Sequence, residues 1–334
     1  MENLSHIEAS KLSSRVIDVE VNREDIYKTM ITFYKRRHIA TSKIRLSFAD
    51  EDAGGDGVAR DAYSAFFEEV LGRWEGTCSK VPNSQTDDEE LNLIGKIIAH
   101  AFISFRVFPL TMCKATLKHF LGFKPSNAEL KSCFLSYLPD AERKLFEGDT
   151  INQQGIIDIL SESSVYDLPT RKNLDEIVVK AAKTSLIKKP AWSFQAIIEG
   201  MGSFWQKVTP EMIDSMYEIS LPTSQKILDS LDEDENSPQD GRISTWLRRY
   251  IRSSNQQKLK CFMRFISGSE VLLPNSVIKV VFENQPNDHL RPRTQTCFKI
   301  LILGRQYSIF YKFEKKIYFY LMNNNVYTMK VYDK

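Results

Sequence analysis

The feature that most constrains this chain is the stretch from Asp232 to Gly241, Asp-Glu-Asp-Glu-Asn-Ser-Pro-Gln-Asp-Gly. It carries five acids and no apolar residue larger than proline. Like charges and proline resist collapse, so the stretch is expected to be an exposed, flexible linker. Beyond it Ile243, Trp246, Leu247, Tyr250 and Ile251 recur at i, i+3, i+4, i+7 and i+8, the stripe of a half-buried helix. A chain of 334 residues is long enough for two domains. The break therefore predicts a large lobe over 1–231, a hinge at 232–241 and a small lobe over 242–334.

The large lobe reads as mostly helical. Arg23 to Arg37 has helical spacing, Lys43 to Phe48 alternates as a half-buried strand, and Asp50 to Gly57 is a turn with three glycines and four acids. A helix restarts at Val58, and a polar stretch over Glu75–Glu90 precedes helices near 91–107, 111–121 and 126–137. Ser126 and Glu129 stand at capping-box spacing. Helical patterns return over 173–188 and 191–206, and Thr209-Pro210 opens another helix. In the small lobe Leu259, Phe262, Met263 and Ile266 mark a helix that Gly268 closes. The period then turns strand-like at Val277–Glu283 and Phe298–Leu303. A last helix spans Gln306–Leu321, with Phe310, Phe313, Ile317 and Leu321 inward. The fold class expected is α+β, a mostly helical lobe hinged to a small α/β lobe.

Several function classes are disfavoured. Lys plus Arg total 45 against 43 Asp plus Glu, which leaves no basic excess for neutralising nucleic-acid phosphates. The N-terminus has no continuous apolar run, so no signal peptide is read. The most hydrophobic stretch, Leu91–Leu110, is broken by Lys96, His100 and Arg106, which argues against a membrane span. Five widely spaced cysteines, at 78, 113, 133, 261 and 297, form no CxxC pair. Neither a disulfide framework nor structural zinc is expected, and a reducing cytosol or nucleus fits. Asp50, Glu51, Asp52 and Asp56 lack calcium-loop spacing, and no Gly-Lys-Ser/Thr follows Gly54-Gly55-Asp56-Gly57, so both read as a solvated turn. Arg60 is expected to pair structurally near that turn.

Cys297 is the best candidate for chemistry. In Leu290-Arg291-Pro292-Arg293-Thr294-Gln295-Thr296-Cys297-Phe298-Lys299 a proline-broken loop delivers the thiol to the mouth of a buried strand. Arg291, Arg293 and Lys299 lie near it in sequence, and cations near a thiol favour the nucleophilic thiolate. On a strand, Lys299 would share a face with Cys297. Cys113, Cys133 and Cys261 sit in helical patterns and read as small core hydrophobes, Cys78 as part of the polar stretch. His289 lies eight residues before Cys297 and reads as a surface-loop histidine rather than a base.

The block from Arg293 to Leu303, with its Thr-Cys-Phe, resembles the active-site segment of HECT ubiquitin ligases. Phe262–Ser269 is similar to the family's helix ending in a Gly-Ser turn, and Ile243–Leu247 to the aromatic helix of its C-lobe. Ile44–Phe67 resembles the strand, acidic glycine turn and Gly-Val-x-Arg helix start. Leu93–Ala101 and Phe120-Leu121-Gly122 complete the ordered series, and the likeness leans toward the G2/M-phase-specific ligase type. The resemblance implies that Cys297 takes ubiquitin from a conjugating enzyme as a thioester and passes it to a lysine of a protein substrate. It implies no cofactor, metal, nucleic acid or membrane. Arg293, Gln295, Thr296, Phe298 and Lys299 would support the active-site loop. The family's docking subdomain would fall within about 150–220, including Lys189–Ser220, with Trp192, Phe204 and Trp205 as anchors. Gln295, Lys299, Gly304 and the tail Val326–Lys334 depart from the family pattern and bear on the second, lysine-directed step. A degenerate scaffold that binds ubiquitin or a conjugating enzyme is the alternative; a cysteine hydrolase would need a base that no histidine supplies convincingly.

Overall fold

The computed structural model describes residues 7–36, 38–49, 51, 54–147, 153–286 and 290–322. Strand β1 (Ser13–Val21) turns Val19 and Val21 inward and leaves Asp18 and Glu20 outside. It pairs in parallel with β2 (Ser42–Phe48), from Ile17 opposite Ile44 to Val21 opposite Phe48. Parallel strands need a crossover, and helix α1 (Ile26–Tyr34) supplies it. Helices α2 (Asp56–Gly72) and α3 (Asp88–Phe105) cover these elements; Asp87 caps α3 by accepting from the amides of Glu89 and Glu90.

A second, smaller core follows. Helices α4 (Lys114–Phe120), α5 (Asn127–Tyr137), α6 (Asp140–Glu147), α7 (Gln153–Glu162) and α8 (Leu174–Ala182) gather Cys113, Leu130, Phe134, Ile156, Leu160, Val178 and Leu186. Ser126 caps α5 as its spacing predicts, accepting from the Glu129 amide at 3.1 Å. A π-helical turn over Lys183–Lys188 ends the unit. Helices α9 (Ala191–Met201) and α10 (Pro210–Ser220) then return to the first core, where Phe194, Trp205, Ile213 and Met216 join Met30, Leu46, Tyr63 and Ile97. The second core thus draws mainly on about 113–187, whereas the apolar faces of α9 and α10 are buried against α3 and its neighbours.

The third core is the small lobe. It contains α11 (Ser224–Asp229), β3 (Leu231–Glu233), α12 (Pro238–Ser253), α13 (Gln256–Ser267), β4 (Ile278–Glu283), β5 (Arg293–Gln295), β6 (Ile300–Gly304) and α14 (Phe310–Met322). The sheet order is β3-β4-β6-β5, with β3, β4 and β6 parallel and β5 antiparallel to β6. Ile227, Ile243, Leu247, Met263, Ile278, Val280, Leu301 and Phe313 meet in its interior.

This overturns the reading of Asp232–Gly241 as an open linker. Asp232 lies opposite Lys279 in the sheet, and Glu233 accepts from Ser244 Oγ at 2.7 Å and from Arg248 Nε at 2.7 Å. Ser237 caps α12 through the Asp240 amide, while the buried Asp240 carboxylate accepts from the Asn236 amide and, at 2.6 Å, from Arg305 Nε. Three of the five acids that suggested mutual repulsion, Glu233, Asp234 and Asp240, accept from a donor. The chain instead crosses between lobes at Leu221–Thr223, since Ile227 is already inside the small-lobe core.

Candidate active site

Cys297 lies in a tight turn, residues 296–299, that joins β5 to β6. The Phe298 amide donates to Gln295 O at 3.1 Å and closes it. Lys299 has φ 54°, in the left-handed region, and only Ile300 begins the strand. Lys299 therefore belongs to the turn and not to a strand face shared with Cys297. Such a turn lifts its central residues away from the sheet: Cys297 is exposed, and Phe298 beside it is 74% exposed. Thr294 anchors the turn from behind, its Oγ1 donating to Phe265 O at 2.9 Å. Of the cations expected near the sulfur, Arg293 is tied to Glu283. Gln295 points into solvent.

A second set of groups reaches the turn from the large lobe. Cys297 Sγ lies 3.7 Å from Gly54 O, and α2 begins immediately beyond, at Asp56. Arg60, one turn into α2 and buried, donates through Nε to Ser267 O at 2.7 Å and through Nη2 to Thr296 O at 3.2 Å. Burial pulls its guanidinium below the ordinary range, while Asp56 and Cys297 act in the opposite direction. Burial, and then the nearness of Arg60, likewise pull Lys299 down. Thr296 is buried, and its Oγ1 has no hydrogen-bond partner. It faces Gly57, where an added Cβ would come within 2.3 Å of that oxygen and 2.9 Å of the Cys297 amide nitrogen. At Gly268, which caps α13 with φ +74°, a Cβ would meet Gly57 O at 2.1 Å. Two backbones thus touch where neither residue has a side chain.

Charges border the contact. Arg264, on the last turn of α13, donates to Asp61 at 3.0 Å and Glu68 at 2.7 Å. Burial alone would depress its guanidinium, but Asp61 and Glu68 outweigh that and leave it raised. Arg23 approaches the other oxygen of Asp61 at 2.8 Å, and Ser64 Oγ donates to Gly268 O at 3.2 Å. Arg60 is thus not merely a partner of its own turn: it reaches 236 positions along the chain to Thr296. No local spacing announces that contact, although the Gly-Val-x-Arg block contains the residue.

The three aromatic anchors separate. Trp192 stands 85% exposed at the start of α9, whereas Trp205 is 0% exposed and packs with Phe102 and Phe108, and Phe204 is buried beside it. Burial removes Phe204 and Trp205 as contacts for a partner. Tyr166 and Leu168, unremarked in the sequence, project from the loop after α7. Lys189 Nζ, three residues before Trp192, donates to Glu162 O at the end of α7 at 2.6 Å. Asp50, Asp52, His289 and the tail Val326–Lys334 lie outside the described residues. Among those described, no three His, Cys, Asp or Glu side chains gather as metal ligands, and no helix is long and apolar enough to cross a membrane.

Residues 61–330 match the model of the HECT-domain (ubiquitin-transferase) family. No curated protein matches the chain.

Proposed function

The chain belongs to the HECT-domain family of ubiquitin transferases, and from that membership we propose that it is a ubiquitin ligase whose acceptor thiol is Cys297. The observation that carries this reading is an exposed cysteine raised on a tight turn, inside the family match, whose preceding carbonyl, Thr296 O, accepts from a guanidinium of the other lobe. The Cys297 thiolate would attack the thioester between ubiquitin and a conjugating enzyme; the new C–S bond forms as the old one breaks, and the donor's sulfur leaves with the electron pair. A lysine amine of a protein substrate would then repeat the exchange to form an amide. Splitting the transfer is nucleophilic catalysis, and because the first step trades one thioester for another, positioning matters more than activation.

Trp192, with Tyr166 and Leu168, is the surface we assign to the conjugating enzyme, since exposed aromatic and aliphatic side chains are what interfaces use as anchors. Phe298 is assigned to contact with the ubiquitin being transferred. The five cysteines are free among the described residues, which fits a reducing compartment, cytosol or nucleus. The likeness to the G2/M-phase-specific type rests on the ordered sequence blocks and belongs to the same proposal.

The test is a charging assay. Purified protein, activating enzyme, a panel of conjugating enzymes and ubiquitin are expected to yield a reductant-sensitive adduct that Cys297→Ala abolishes. Absence of the adduct with every conjugating enzyme would leave a scaffold for ubiquitin or conjugating enzyme as the better account.

A further inference from the structure

We propose that Cys113 and Cys133 are a redox-sensitive pair, two thiols held in contact inside the second core that a hydroperoxide converts into a reversible disulfide. The proposal is independent of Cys297, and either can fail with the other intact. Twenty positions separate the two residues in sequence, so packing rather than spacing unites them. Cys113 immediately precedes α4 and is fully buried; Cys133, in the middle of α5, is half-buried and packs against the same core. The Cys113 amide donates to Lys80 O at 2.8 Å, and the Ser79 amide donates to Ser136 O, near the end of α5, at 3.1 Å. One short segment thus fixes both sides of the pair. At that junction the sulfurs interact with each other, and consecutive amides of α4 reach them: Ala115 N–H donates to Cys133 Sγ and Thr116 N–H to Cys113 Sγ. Ser79 Oγ, 6% exposed, has no nitrogen or oxygen partner among the described residues and also reaches Cys113 Sγ. The surroundings are pinned by bonds of their own, Thr116 Oγ1 to Leu186 O at 2.8 Å and Tyr217 Oη to Met112 O at 2.7 Å.

Cysteines that served only as small apolar side chains would have no use for these donors. Burial pushes the Cys113 thiol up, but Cys133, and then Ser79 and Thr116, outweigh it and bring it down; Cys133 moves up, because its proton is held by Cys113 Sγ and burial adds to that. The pair therefore parts readily with one proton and keeps the other between the sulfurs. Thiolate is the form that peroxides oxidise. Cys133, the more exposed of the two, attacks the peroxide: an S–O bond forms, the O–O bond breaks, and hydroxide leaves to become water. Cys113 Sγ then attacks the oxidised sulfur; the S–S bond forms, the S–O bond breaks, and the remaining proton departs in a second water. The two thiols lose two electrons in all, and the peroxide gains them. Sulfurs already in contact can make this bond with little backbone movement. The product ties the start of α4 to α5, and a reducing compartment reverses it, as a sensor requires.

The test uses the full chain, reduced, freed of reductant and exposed to hydrogen peroxide, then denatured, alkylated and mapped by peptide mass. Two peptides joined through Cys113 and Cys133, lighter together by two hydrogens and separated by dithiothreitol, are expected. The link is expected to form at least about tenfold faster in the folded chain than in urea, because contact replaces chance encounter of the two thiols. Cys133→Ser is expected to form no link at Cys113. The wild-type map decides the matter without any variant, so a substitution that failed to fold would not shelter the proposal. Recovery of both thiols in alkylated form after peroxide overturns it. So does oxygen retained on either sulfur without a link, a link from Cys113 to a different cysteine, or a link that forms no faster in the folded chain than in urea.

Discussion

Acid is expected to weaken the large lobe through one residue. His100, on α3, is 1% exposed, and its Nδ1 lies 2.7 Å from Tyr34 Oη, which in turn lies 2.5 Å from Tyr63 Oη. Burial lowers the imidazole from its usual 6.5 to about 4; the Ser42 backbone offsets this slightly but makes no good hydrogen bond with Nε2. The folded protein therefore keeps His100 neutral at pH values where the unfolded chain would protonate it. The stability it contributes is fully present above pH 6.5, is lost as pH falls toward 4, and changes no further below that. From those two values the loss is about 2 kcal/mol between pH 7.5 and pH 5, and about 3 kcal/mol in full. Urea unfolding followed by the fluorescence of Trp74 and Trp205, which share the core of His100's neighbours, reads this at both pH values. Carboxylates and the other histidines also titrate, so the quantity that matters is the difference between wild type and His100→Gln. The variant is expected to lose the His100 share of the slope. Equal pH dependence in both proteins would refute the reasoning.

The aromatic residues make a contrasting pair. Trp192→Ala is expected to raise several-fold the concentration of conjugating enzyme needed for half-maximal loading, with the unfolding midpoint unchanged. Trp205→Ala is expected to cost about 3 to 5 kcal/mol in urea unfolding, because it empties a fully buried ring site. Lys299 holds a left-handed backbone that asparagine adopts more easily, so Lys299→Asn is expected to stabilise the small lobe by about 0.5 to 1 kcal/mol in thermal unfolding.

Periodicity made much of the fold legible. The stripes of α12, α13 and α14, the alternation of β2 and the caps at Ser126 and Thr209 all follow from local chemistry and recur in the structure. Strand β1 carried the same period-two signal at Ile17, Val19 and Val21, but its polar neighbours diluted it. The acidic segment misled because charge was weighed without partners. Glu233 and Asp240 look repulsive in sequence, and only the folding of α12 and β6 brings Arg248 and Arg305 to them. Phe204 and Trp205 misled in the opposite sense, since the side chains that make good anchors are also those that fill cores.

Moving the junction from a ten-residue acidic linker to Leu221–Thr223 changes what the small lobe can do. A free linker of that length would let the lobe diffuse; three residues span at most about 10 Å, and Pro222 has one of its two backbone dihedrals fixed. The crossing is also tied at both ends. The Leu272 amide donates to Ser220 O at 2.8 Å, and Gln256 Nε2 donates to Pro222 O at 2.9 Å. Any rearrangement must then be a pivot about a few dihedrals, which swings the Cys297 turn through an arc rather than releasing it. On such an arc the position against α2 is recovered whenever Gly57 and Gly268 meet, and the polar links from Arg60, Asp61, Ser64 and Glu68 close together.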